Sequence, residues 1–471
     1  NFTGFYTPNS RGKNSPNTAE VTELTSGTYN SYWGYQDGKK RNSRVKTIEE
    51  PILMLNHYFK LNDHSNLNSS VMVQFGKIGN SNLDYQKANS PDPTYFRKLP
   101  SYYSSLYGKD EGEYSGAFTP DYENAEKSRV QFLANSQIDW DALYRANQKP
   151  IIDSNGNTTG YEAAKSHYVL YEDRTDDRTV VASSNFNTQL NENLIFNVGG
   201  SFRKLESHNY QHVLDLLGGA YFEDIDGFYK GNQAQSDLNN PNRQVVKGDA
   251  YGYNYKYAAN VFDAFTQFKF SYDKIDFYLA QSFSSTNYQR EGLYKNGIYE
   301  TISFGKSEKV PFENFGFKGG MLFKISGKQS LNFNGAHLSK APTIRNTFPN
   351  SRLNNSVVDG LQSETINSLD ATYVFRSPKL KARLTAYYST IKNATKTSFF
   401  YAEGIFDNGA GYTNTNAFVS QTLTQLDRKN IGGEFSFEYQ ITSTIKGSFS
   451  AGYGQFTYDS NPNVSINNDA L

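Results

Sequence analysis

Carboxylate side chains and aromatic rings occur together between residues 222 and 229, in the run Phe-Glu-Asp-Ile-Asp-Gly-Phe-Tyr. Glu223, Asp224 and Asp226 bring several oxygen atoms close together along the chain. Hard cations such as Ca²⁺ bind through several oxygen ligands, so these residues form a candidate calcium site. The alternative is a polar turn with packed aromatic rings. No other cofactor is indicated.

Two histidines form a weaker metal candidate. His208 and His212 are four residues apart and Asp215 follows them, a spacing that would place both imidazoles on one face of a helix. Without a third dependable ligand, a solvated loop explains the same residues.

Aromatic side chains in segments without a regular hydrophobic period form a second set of candidate binding residues. Aromatic faces can stack on sugars, peptides or a siderophore. The alternative is that the same rings pack the loops against each other or lie in an aromatic girdle. The set comprises Trp33, Tyr102, Tyr103, Tyr107, Trp140, Tyr144, Phe222, Tyr229, Tyr401 and Phe406.

Residues for bond chemistry are not recognisable. The chain has no cysteine, and no Ser-His-Asp set stands out. Asp139 and Asp141 are paired carboxylates, but a solvated helix face explains them equally well. We therefore expect that the protein is not an enzyme.

The candidate residues must be positioned by strands in which apolar and polar side chains alternate. Leu369, Ala371, Tyr373 and Phe375 share one face of a strand, and after a turn at 376–378 the pattern returns from Leu380 to Tyr388. Side chains that alternate with a period of two place one face of the strand in an apolar medium and the other face in a polar medium. Six such hairpins predict about twelve strands in all.

Composition favours a membrane barrel over a soluble core. Hydrophobic residues make up only 37% of the 471 residues and the mean hydropathy is −0.69, yet there are 36 Tyr and 34 Phe. Outer-membrane barrels combine aromatic girdles with a polar lumen. A sandwich or propeller is the soluble alternative. The 47 basic residues balance the 47 acidic ones, so nothing indicates nucleic acid binding.

Loop lengths differ between the two ends of the predicted strands. The hairpin turns are short, whereas the other connections are long. This asymmetry is that of outer-membrane barrels, with periplasmic turns and extracellular loops. We therefore predict an all-β fold, a transmembrane antiparallel β-barrel in which residues 1–471 form part of one domain. The predicted extracellular loops are 1–41, 80–178, 206–257, 286–312, 340–365 and 393–428.

Three stretches carry a family resemblance: His337-Leu-Ser-Lys-Ala-Pro-Thr-Ile-Arg345, Leu384-Thr-Ala-Tyr-Tyr-Ser-Thr-Ile-Lys-Asn393 and Asn430-Ile-Gly-Gly-Glu-Phe-Ser-Phe437. In order and spacing they resemble the barrel of a TonB-dependent outer-membrane receptor of the Bacteroidetes type. Barrels of that family have twenty-two strands around a plugged lumen. No plug or TonB box is recognisable, and we expect the chain to be a fragment of a longer protein.

The resemblance implies a location in the outer membrane of a Gram-negative bacterium. Its implied partners are outer-membrane lipid or lipopolysaccharide, the TonB system and a scarce nutrient such as a siderophore, glycan or peptide. A surface lipoprotein or a larger outer-membrane complex is a further possible partner.

Two other functions stay open from the sequence. The barrel could be a non-transporting structural or docking subunit of an outer-membrane complex. A soluble β-rich glycan-binding protein is the third hypothesis.

Overall fold

The computed structural model describes residues 1–104, 120–227, 229–402 and 417–468. Strands dominate this part of the chain. They are β1 (Phe2–Phe5), β2 (Asn9–Gly12), β3 (Trp33–Gln36), β4 (Lys39–Asn42), β5 (Val45–Glu49), β6 (Ile52–Lys60), β7 (Ser65–Asp84), β8 (Gln148–Ile152), β9 (Thr158–Ala163), β10 (Val169–Asn191), β11 (Leu194–Asp215), β12 (Phe222–Glu223), β13 (Gln244–Val245), β14 (Ala250–Ser271), β15 (Ile275–Gly292), β16 (Gly305–Lys306), β17 (Val310–Ser326), β18 (Gln329–Lys340), β19 (Glu364–Arg376), β20 (Leu380–Ala402), β21 (Ala417–Gln440), β22 (Lys446–Tyr458) and β23 (Asn463–Asn468).

Helices are few and short. They are α1 (Ala19–Leu24), α2 (Pro100–Ser104), α3 (Tyr122–Ala134), α4 (Trp140–Ala146) and α5 (Ile344–Thr347), with 3₁₀ turns at Phe96–Lys98 and Gly231–Ala234. None of the helices in the described ranges has both the length and the apolar character needed to span a bilayer.

One large antiparallel sheet contains seventeen of the strands. Its order from one edge is β1 and β2, β5 and β6, β7, β10, β11, β14, β15, β16 with β17, β18, β19, β20, β21 and then β22 with β23. Each long strand therefore pairs with its neighbours in the sequence, as in a meander. Within the described residues, β1 and β22 each pair on one side only, and no pairing joins the two edges of this wall.

All six predicted hairpins are present. The connections β6–β7, β10–β11, β14–β15, β17–β18, β19–β20 and β21–β22 are the short ones, and we call their side of the wall the short-turn end. The fold prediction of an antiparallel barrel wall is confirmed. We call the opposite side the long-loop end.

Large apolar side chains remain exposed on one face of the wall. In β19 and β20 these include Leu369, 62% exposed, together with Leu384 and Tyr388. The same face carries Val71 and Phe75 of β7. An exposed apolar band of this extent lies against lipid in a membrane-spanning barrel, whereas side chains one residue along face the interior. We call the two faces of the wall outer and inner.

The strands are longer than a bilayer requires. A crossing takes about 9–11 residues, whereas β10 has 23 residues and β11 and β14 have 22 each. The sheet therefore continues beyond the apolar band at the long-loop end. The sequence did not predict these extensions, because both faces of the sheet are polar or aromatic there and the hydrophobic alternation stops. The predicted loops at 80–178 and 206–257 consequently begin and end inside strands.

The predicted loop over 1–41 is wrong at its start. Phe2–Phe5 pairs with β6, and Asn9–Gly12 pairs with β5, in one continuous register. Short pairing segments rich in Asn, Ser and Gly gave no strand signal in the sequence. Residues 33–42 form a separate hairpin, β3–β4.

The long loops have small cores of their own. Val21, Leu99 and Phe132 form one cluster. A second cluster packs α4 against the tops of β7 and β10, and a third joins Val213 and Tyr251 to the 216–249 loop. The α4 helix and the β8–β9 hairpin follow each other in the long connection between β7 and β10.

Substitution of Leu369 by arginine tests the assignment of the outer face. We expect Leu369→Arg to destabilise the full-length protein in lipid vesicles by about 2–4 kcal/mol, because a guanidinium near mid-bilayer is poorly solvated. Urea titration of tryptophan fluorescence measures the loss. Ser368→Arg, on the inner face, is the matched control and should change stability much less; equal losses for the two variants would contradict the assignment.

Candidate functional site

The inner face of the strand tops carries a band of polar and aromatic side chains at the long-loop end. We call this region the inner mouth. Cross-strand partners share a face of a sheet, and the register pairs Asn80 of β7 with Asp173 of β10 and Asp173 with Gln211 of β11. Val71 lies on the outer face and Asn80 is nine positions further along the same strand, so this row faces inward.

Tyrosines of β14 dominate the inner mouth. Tyr251, Tyr253, Tyr255 and Tyr257 alternate along the strand, and the first three are buried. Tyr253 donates a hydrogen bond of 2.6 Å to Asp173 Oδ1. The ring centroids of Tyr253 and Tyr255 are 6.0 Å apart and those of Tyr255 and Tyr257 are 5.1 Å apart, so these three rings are in successive contact.

The buried carboxyl group of Asp84 lies at the edge of this row. Tyr251 Oη donates to Asp84 Oδ2 at 3.0 Å. Burial raises the pKa of Asp84 despite this hydrogen bond, because the charged form loses its water.

Arg290 of β15 fixes two loops to the inner mouth. Its side chain is buried, with only 2% of the residue exposed. Arg290 Nε donates to the carbonyl of Ser351 at 2.7 Å, and Nη1 donates to the Ser303 carbonyl and to Asn355 Oδ1 at 3.1 and 2.5 Å. These acceptors belong to the 293–309 and 341–363 loops.

The charge of Arg290 has no carboxylate partner among the described residues. Burial lowers the pKa of Arg290 to about 10, against the opposing effects of Tyr257 and Tyr255. The guanidinium carbon lies 5.2 Å from the centroid of the Tyr255 ring, a cation–π contact. The Arg290 guanidinium in the inner mouth is thus removed from water and surrounded by neutral oxygen atoms and aromatic rings.

Arg352 extends the 341–363 loop over the same row. Its guanidinium carbon lies 4.5 Å from the centroid of the Tyr253 ring, and Nη2 is 3.5 Å from Asp173 Oδ1. This loop begins within the proline-containing stretch at 340–345, where Thr343 caps α5. Tyrosine, arginine and carboxylate groups therefore converge from distant parts of the chain, an arrangement suited to binding a polar ligand rather than to bond chemistry.

Two predicted binding aromatics are structural. Trp140 is 0% exposed and packs in the core around α4, with its indole Nε1 donating to the Arg41 carbonyl at 3.2 Å. Phe222 is likewise buried, against Tyr251. Each of these two rings is part of a small loop core and is not exposed to a ligand in this structure.

The other predicted aromatics lie in separate places. Trp33 is half-buried, with the Lys40 ammonium 4.2 Å from its ring centroid. Tyr102 and Tyr103 form an edge-to-face pair on α2, and Tyr229 is half-buried. The structure does not bring these rings together with the inner mouth. Tyr107 and Phe406 lie outside the described residues, as does the side chain of Tyr401.

Two of the three carboxylates of the calcium hypothesis form ion pairs with different cations. Glu223 pairs with Lys165, and the buried Asp224 pairs with Arg243. Across the described ranges, no three His, Asp or Glu side chains are grouped so that they could hold a metal ion. The geometry therefore does not favour calcium at Glu223, Asp224 and Asp226.

His208 and His212 lie in β11 and not on a helix. In a strand, residues four apart share a face but are well separated. His208 Nε2 contacts Asn254 Oδ1 at 2.7 Å, and His212 Nε2 contacts Glu172 at 3.0 Å. The structure overturns the helical spacing on which the histidine metal hypothesis depended.

Comparisons with known proteins identify the fold. No protein-family profile matches the chain, and no curated protein matches it. Among solved structures, the chain is similar to the copper transporter OprC, with a TM-score of 0.51 and 11% identity over 88% of this chain and 48% of that one. It is also similar to the ferric-catecholate import receptor Fiu from K12 E. coli, with a TM-score of 0.49 and 10% identity over 97% and 55% of the two chains.

The fold is thus that of an outer-membrane β-barrel. The particular neighbours are receptors and transporters, and the chain spans about half the length of those solved structures. At this level of identity the similarity defines the fold alone.

Trp140→Ala tests whether that ring is structural. We expect the core around α4 to lose about 3–5 kcal/mol of local stability, because a large buried ring leaves a cavity. Hydrogen exchange measured by mass spectrometry should become faster in residues 33–42 and 140–146. Trp33→Ala, at a half-buried ring, serves as the control; similar exchange in both variants would show that Trp140 is not the core residue.

Arg290→Met tests the attachment of the two loops. The substitution leaves the Ser351, Ser303 and Asn355 oxygens without their donor, and we expect a loss of about 2–4 kcal/mol in loop stability. Protease cleavage within 341–363 should then become faster. Arg345→Met removes an exposed arginine from the same loop and should leave cleavage unchanged.

Proposed function

We propose that the chain is part of the barrel of a TonB-dependent outer-membrane receptor that binds a scarce nutrient and carries it to the periplasm. The long-loop end then faces outside the cell, and the short turns face the periplasm. The observation that supports this most directly is the inner mouth. There, Asp173, Tyr253 and Arg352 present polar groups on the inner face of a wall whose outer face carries an apolar band nearer the short-turn end.

The unpaired edges of the wall are evidence that it belongs to a larger barrel. In lipid, every backbone N–H and C=O group must be hydrogen-bonded, so a membrane-spanning sheet must close on itself. Because β1 and β22 each have one unpaired edge among the described residues, further strands are required to complete the barrel. This agrees with the twenty-two strands that the family resemblance implies.

A Bacteroidetes-type receptor is favoured by three stretches of the sequence, at 337–345, 384–393 and 430–437. The resemblance supplies the TonB system as the partner that would energise release of the ligand. The barrel residues supply scaffold and binding surface in this mechanism, and they carry out no bond chemistry.

Nutrient uptake by the source bacterium tests the proposal. Accumulation of labelled ferric chelates, oligosaccharides and peptides is compared in the parent strain and in a deletion strain, with and without an uncoupler. We expect uptake of one ligand class to require both the gene and an energised inner membrane. Gene-independent uptake of every class would contradict transport and favour the docking-subunit hypothesis.

Substitutions in the inner mouth test whether this region binds the transported nutrient. Tyr253→Ala removes a ring and a hydroxyl from the mouth and should lower uptake severalfold at equal receptor abundance. Tyr161→Ala, at an exposed ring of the β8–β9 hairpin, is the matched control. Equal uptake by the two variants would place the ligand elsewhere.

A further inference from the structure

Four basic residues form a block on the inner face, on β2, β5 and the residues that extend these strands, near one edge of the wall. Arg11 of β2 is directly paired with Lys46 of β5. One rung further, Lys13 N donates to the Arg44 carbonyl at 2.7 Å, which continues the same register. Residues two apart in a strand share a face, so all four side chains lie on one surface.

The register also fixes which surface this is. Lys46 pairs with Asn80, whose side chain faces the inner mouth. Lys13 Nζ donates to Asn80 Oδ1 at 2.7 Å, which places the ammonium on the same side. We call Arg11, Lys13, Arg44 and Lys46 the basic block.

Like charges placed directly opposite each other on a sheet destabilise it. None of the four forms a salt bridge with another described residue. Burial, together with the charges of Arg44 and Lys46, lowers the pKa of Lys13. The neighbouring carboxylate that opposes this effect is Asp173, which already accepts from Tyr253 and lies near Arg352.

The Arg44 guanidinium lies 5.0 Å from the centroid of the Tyr32 ring, but no carboxylate of the described residues forms an ion pair with the basic block, so most of its electrostatic cost is not offset there. An anion bound between the two strands would relieve it, through charge-assisted hydrogen bonds to several donors at once. The whole chain has equal numbers of acidic and basic residues, so the positive charge is local. A local cluster inside a barrel mouth favours a compact anion over an extended polyanion such as nucleic acid.

We infer that the basic block binds the anionic part of the transported nutrient, a ligand that carries two or more carboxylate or phosphate groups. This inference rests on the proposed import function. It narrows the ligand class, because neutral glycans would leave the four cations uncompensated.

Anion binding by the full-length protein in detergent tests the inference. The probes are citrate and inositol hexakisphosphate, with maltohexaose as the neutral comparison, and isothermal titration measures each affinity. We expect at least one anion to bind, with an affinity that falls as salt is raised. Lys13→Gln combined with Lys46→Gln should weaken that binding at least about tenfold.

The matched control is Lys204→Gln combined with Lys256→Gln, which removes the same charge from exposed outer-face positions. It should leave the affinity unchanged within about twofold, as expected for distant, independent sites. Arg11→Gln combined with Arg44→Gln is the second test pair and should reproduce the loss. Circular dichroism confirms that each variant is folded.

Three results would overturn the inference: neither anion binds the full-length protein, the control pair weakens binding as much as the two test pairs do, or only the neutral sugar binds. Absence of anion binding would indicate that acidic groups elsewhere in the same protein already neutralise the block. Energy-dependent uptake of a neutral nutrient would then leave the proposed import function standing. Conversely, charge-dependent anion binding without uptake would support the block and contradict import.

Discussion

The requirement to hydrogen-bond every backbone polar group inside lipid shapes this protein. A meander of antiparallel strands satisfies each N–H and C=O group through its neighbours, and the alternation of side chains then separates an apolar outer face from a polar inner one. Leu369 and Leu384 remain exposed for this reason, whereas their neighbours in sequence face inward. The low hydrophobic share of the chain is a consequence, since each membrane-spanning strand needs apolar residues at only every second position.

The same sheet continues beyond the apolar band and becomes the frame of the candidate site. Strands of 22 and 23 residues hold β10, β11 and β14 rigidly in register above the lipid. Loops pack against this frame through small cores and through single buried groups such as Arg290. A polar ligand would therefore meet side chains fixed on strands, with loops such as 341–363 closing over them.

Register brings together residues that are far apart in the sequence. Asn80, Asp173 and Gln211 form one row because three strands pair without a shift at that level. Pairing of β2 with β5 adds a row of cations to the same face. Each of these side chains is unremarkable alone, and their chemistry arises from their placement side by side.

The sequence by itself determined the fold class, the six hairpins and the outer face, because lipid imposes a period of two on residues such as Leu369 to Phe375. It also contains two further patterns: tyrosines alternate from 251 to 257, and basic residues alternate at 11 and 13 and at 44 and 46. Only the tertiary structure decided which loop aromatics are buried, as Trp140 and Phe222 show. Loop packing has no period, and cross-strand register depends on pairing between distant segments, so neither the loop cores nor the inner mouth could be read from local pattern.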